Sequence, residues 1–114
     1  MRLVDQDIDW HDGNLVDVQI NGLPGAKQTL RLFLDLFPDD ENADRRSRYC
    51  CTGESLKRVL FSATTARIRK HSKSGNIDYM RLEQGEGREI LTLSLFGGVI
   101  EAEADHFQLA EFRT

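Results

Sequence analysis

His11 and Asp12 are the first residues in the chain that could do chemistry together, an imidazole that titrates near neutral pH beside a carboxylate. Such a pair would suit acid–base catalysis or a metal ion. Adjacent residues seldom aim at one metal, however, and no HxH or HExxH pattern accompanies them. The expectation is a structural role, with Asp12 capping a turn, and a polar site at His11 and Asp12 as the alternative. The other histidines stand alone. His71 lies in a lysine- and glycine-containing turn, and His106 precedes Phe107, a core candidate. A metal site would need strand pairing to bring His11 and His106 together beside Asp105 or Asp12.

Cys50 and Cys51 are the only cysteines. Neighbours in a strand face opposite ways, and a disulfide between them would strain the backbone. One is expected to be buried as a small apolar residue and the other to be a free thiol. Nucleophilic catalysis would need a nearby base and an oxyanion hole, and no helix-opening glycine loop follows either thiol. Gly85-Glu86-Gly87 and Gly97-Gly98 lack a P-loop lysine and precede no helix, so they read as turns. Hence no catalytic residue, cofactor or metal is expected, and the chain is read as a non-enzyme.

Binding chemistry is better represented. Two basic clusters, Arg45-Arg46-Ser47-Arg48 and Arg67 to Lys73, stand in a chain of net charge −4. With Phe33, Phe37 and Tyr49 they could line a single-strand nucleic-acid groove, but nearby acids and the net charge oppose this. The acidic groups Asp39, Asp40 and Glu41, and Glu101, Glu103 and Asp105, would suit a basic protein partner through charge complementarity. Phe33 and Phe37 are the apolar candidates for such a surface, either exposed to a partner or covered by the segment carrying Trp10.

These residues must be positioned by strands. Leu30-Arg31-Leu32-Phe33-Leu34-Asp35-Leu36 places leucine at every second position, so the leucines share one face and Arg31, Phe33 and Asp35 the other. The same alternation recurs in Val16, Val18 and Ile20, in Leu91, Leu93 and Leu95, and in Ile100, Ala102 and Ala104. Turn residues fall between these runs at spacings of roughly ten to fifteen residues. Residues 1 to 12 carry no alternation and read as a helical turn or ordered lead-in. Ser55 to Lys70 fits either period, with strand favoured from Val59 to Arg69 because Thr64-Thr65 prefers extended backbone. The expected fold is therefore all-β (or β-rich α+β): an antiparallel sandwich or partly open barrel of six to eight strands, with a short helical segment near the N-terminus or Ser55.

At 114 residues and 39% hydrophobic content, the chain is expected to be one domain over 1–114 with a core of its own. No run approaches the ~20 apolar residues of a membrane span and no signal-peptide core follows Met1, so the expected compartment is the cytoplasm.

The order of features, Trp10-His11-Asp12, then Leu30 to Leu36, then Leu56 to Phe61, resembles small bacterial β-rich proteins of the polymorphic-toxin immunity type. The doubled cysteine and the Arg45 to Arg48 run depart from that pattern. The resemblance implies action by binding without catalysis. The sequence thus points to a small protein-binding module, with a small-molecule-binding β-barrel as the alternative. Exposed strand edges would also allow a homodimer.

Overall fold

The computed structural model describes residues 2–3, 9–22, 26–37, 47–63 and 76–111. Eight strands run in chain order: β1 Asp9–Asn21, β2 Thr29–Phe37, β3 Ser47–Glu54, β4 Arg58–Ala63, β5 Ile77–Gly85, β6 Arg88–Leu95, β7 Gly98–Ala104 and β8 His106–Glu111. They form two four-stranded antiparallel sheets, ordered β1-β2-β3-β8 and β4-β7-β6-β5.

The alternating leucines explain how the sheets pack. Leu30, Leu32, Leu34 and Leu36 expose no surface, and they meet Leu91, Leu93 and Ile100 of the other sheet, also fully buried, in one core cluster. Each such side chain contributes roughly 1.5–3 kcal/mol on leaving water. Phe107 is the largest fully buried residue. Its ring lies so close to the β3 backbone that a methyl group at Gly53 would stand 2.7 Å from Cε1, and glycine is needed there for space alone.

The sheets are joined at one corner by two chain segments that cross together. Segment β3–β4 turns at Ser55, whose φ of 52° is left-handed, and β7–β8 turns at Asp105. The pairing continues through the bend: the Asp105 N–H donates to the Glu54 carbonyl at 2.9 Å and the Lys57 N–H to the Glu103 carbonyl at 2.7 Å. Strands that change sheet at a corner in this way are a recognised route to a sandwich core. On the opposite side β1 approaches β5 through an isolated bridge, Asn14 to Asn76, and through His11, whose Nδ1 lies 3.0 Å from the Asp78 carbonyl.

The antiparallel sandwich expected from the sequence is observed, and three details differ. No helix occurs among the described residues. Where a helical piece was expected near Ser55, one left-handed residue turns the chain between two strands, and Leu56 packs against the core. The segment from Trp10 to Gly13 belongs to β1; its lost alternation reflects register shifts between Asp9 and Asn14 and between Leu15 and Asp17. Finally, β1 and β5 share no continuous ladder, so no barrel closes. Among the described residues, large apolar side chains of both sheets meet in one core cluster between them. The expected strand from Val59 to Arg69 begins at Arg58 and is described as far as Ala63; the remainder lies outside the described residues.

Candidate protein-binding face

With the leucines of β2 turned inward, the pleat turns Phe33 outward. The register of the first sheet places it in a cross-strand row, Asp17 on β1, Phe33 on β2, Cys50 on β3 and Ala110 on β8. The adjacent row is Gln19, Arg31, Thr52 and Gln108. On the other side Asp35 stands opposite Arg48, whose Nε and Nη2 donate to the carboxylate. That hydrogen bond raises the Arg48 pKa further above its ordinary value. The second sheet packs on the leucine side, and among the described residues the outward face carries a half-buried aromatic ring, Phe33, with charged groups around it. Trp10 is buried within the core cluster, and much of the lead-in segment expected to cover Phe33 lies outside the described residues.

The remaining candidates are distributed elsewhere. Phe37 ends β2 opposite Asp9, and its side chain lies outside the described residues, as do Asp39, Asp40, Glu41 and the Asp12 side chain. His71 and most of both basic clusters also lie outside them. Glu101 and Glu103 do share one outward face, on the second sheet. However, Arg58 Nη2 is 3.0 Å from Glu101 Oε1, Arg88 Nη1 is 2.8 Å from Glu103 Oε1, and Lys57 Nζ is 3.4 Å from Asp105 Oδ1. The acidic face anticipated there is thus a mixed-charge surface, because β4 pairs its Arg58 directly against β7. His11 helps tie β1 to β5 as described above. Among the described residues no three His, Cys, Asp or Glu side chains gather as a metal site.

Sequence reasoning missed Glu89. It is 2% exposed, the one buried charged residue among those described. Its Oε1 accepts the Phe107 N–H at 2.7 Å, and Oε2 accepts Gln84 Nε2 at 3.1 Å and faces Arg2 Nη2 at 3.0 Å. It floors an open polar cleft of about 600 Å³ lined by Arg2, Gln84, Arg88, Asp105 and His106, among others. With three donors on its two oxygens, the carboxylate is committed to holding structure, and a role as general base would first require breaking those bonds. A signal did exist: Glu89 is in phase with Leu91, Leu93 and Leu95, so the pleat that buries those leucines also turns Glu89 inward.

The thiols divide as the strand geometry requires. Cys51 is 1% exposed on the core side and Cys50 half-buried on the outer side, with its Sγ 3.6 Å from Thr52 Oγ1. Burial, with smaller contributions from Cys50 and Glu89, pushes the Cys51 thiol well above its ordinary pKa. The folded state therefore keeps a proton that the unfolded chain loses above about pH 8.5. This contribution to stability is complete below that pH and declines as pH rises beyond it toward the folded-state value. A thiol-reactive dye under native conditions should accordingly label Cys50 and leave Cys51 unmodified until denaturant is added; rapid labelling of both would contradict the burial of Cys51.

No protein-family model, curated protein or solved structure matches the chain.

Proposed function

We propose that this chain is a small non-catalytic protein-binding module, immunity-like in occupying a basic surface of a partner protein in the cytoplasm. The observation that carries this reading is Phe33, half-buried on the outward face of the first sheet between Asp17 and Cys50 and next to the Asp35–Arg48 pair. An aromatic anchor within a polar surround is the composition of a binding hot spot. Charge supports the same partner class: the net charge is −4, and Asp39, Asp40 and Glu41 follow β2 in the sequence, two residues after its last strand position. The apolar core cluster between the sheets and the fully engaged Glu89 favour binding over small-molecule capture or catalysis.

The test compares the tagged wild-type protein with a Phe33→Lys variant in lysate of the source organism. Because Phe33 faces outward, the variant should keep its fold, as judged by circular dichroism. The wild type is expected to retain one protein in near-stoichiometric amount, and the variant to lose at least about tenfold of it. Equal retention by both would refute this surface, and retention of no protein by the folded wild type would refute the function.

A further inference from the structure

An unpaired strand edge invites another strand, and soluble proteins cover or charge such edges. Three of the four outer edges in this sandwich are occupied. Arg2 forms an antiparallel bridge to Gln108 on the free side of β8, and Glu89 takes the Phe107 N–H on the same strand. The edges of β1 and β5 lean on each other through the Asn14–Asn76 bridge and the His11–Asp78 contact. The fourth, β4, pairs only with β7 among the described residues. Its sequence, Arg58-Val59-Leu60-Phe61-Ser62-Ala63, has no charge, proline or bulge after Arg58. Leu60 and Phe61 are each 52% exposed, on opposite faces of the sheet. Phe61 stands opposite the fully buried Ile100 and therefore extends a core row past the point where the facing sheet covers it.

From this we infer that β4 pairs antiparallel with β4 of a second copy of this chain about a two-fold axis at Leu60, joining the two β4-β7-β6-β5 sheets into one. The strand is compatible with itself in that register. Leu60 meets its own counterpart on the outer face. Val59 meets the partner's Phe61 on the inner face, extending the Ala102–Val59 row of one copy into the Phe61–Ile100 row of the other. Arg58, the only charge on the strand, meets the partner's Ser62, so no like charges oppose each other. Two-fold symmetry makes both halves equivalent, as an isologous contact requires. A six-residue strand buries far less than the ~1,200 Å² of a stable interface, so the dimer is weak and concentration-dependent. The surface is distinct from the Phe33 face, and either assignment can fail without the other.

Sedimentation velocity on the full chain, from about 10 μM to about 1 mM, reads the association directly, in the range expected for small interfaces. The mean mass should approach twice the monomer's with increasing concentration, and Leu60→Lys should abolish the rise. A monomer throughout that range overturns the inference, as does a dimer unaffected by Leu60→Lys. The register has its own readout. Leu60→Cys places two thiols directly opposite across the axis, within disulfide reach, whereas Ser62→Cys faces Arg58 of the other copy. Under mild oxidation Leu60→Cys should give a covalent dimer several-fold faster than Ser62→Cys or the wild type, whose Cys50 serves as the background. Equal rates overturn the register.

Discussion

Phe107→Ala should lower the free energy of unfolding by about 3–5 kcal/mol, the largest single-residue effect anticipated in this protein. The ring is fully buried at the start of β8, against the β3 backbone at Gly53 and just past the corner where both crossing segments change sheet. Removing it leaves a cavity at the junction of the two sheets, where backbone held by the Asp105–Glu54 and Lys57–Glu103 hydrogen bonds resists collapse. Denaturant titration followed by the fluorescence of Trp10 measures the change, since that residue is the only tryptophan and is buried in the same core. A loss below ~1 kcal/mol would mean that the corner is not packed as described. Gly53→Ala should destabilise in the same direction, because its methyl group displaces the same ring.

Glu89→Ala should cost about 2–4 kcal/mol for a different reason. The substitution deletes little apolar packing but leaves the Phe107 N–H without its acceptor and releases Arg2 and Gln84. A buried donor left unpaired carries the full cost of its desolvation, whereas the half-exposed Arg2 adds little because water screens it. Glu89→Gln separates the two contributions: its amide oxygen can still accept from Phe107, so it should recover more than half of the loss. If alanine and glutamine cost the same, the charge and not the hydrogen bond to β8 is what Glu89 supplies. A cost near zero for both would show that the cleft residue is dispensable to the fold.

The strands that could be read from the sequence are those whose pleat divides buried from exposed residues cleanly. Leu30 to Leu36 and Leu91 to Leu95 alternate because one face meets the opposing sheet and the other meets water. β1 was harder, because its register shifts break the period, so Trp10 to Gly13 looked like a lead-in when it is strand. Ser55 looked compatible with a helix because Leu56, Val59 and Leu60 happen to fit that spacing. What turns the chain there is one left-handed backbone residue, a tertiary requirement that composition does not reveal. Phe33 was legible as an outward residue from alternation alone. The neutralisation of Glu101 and Glu103 was not, because their partners Arg58 and Arg88 become neighbours only through strand pairing. Glu89 was not read from the sequence at all: it is in phase with Leu91 and Leu93, and the partners that satisfy its buried charge, Phe107, Gln84 and Arg2, come together only in the fold.

The claim that this chain works by binding a protein through its outward Phe33 face is tested most directly by a photo-cross-linking residue at position 33. The full chain carrying benzoylphenylalanine there would be expressed in the source organism and irradiated. One covalent adduct to a single protein is the predicted result, with none when the same residue replaces Glu83 on the outward face of the opposite sheet. No adduct from position 33 in folded protein, or an equal yield from position 83, would contradict it.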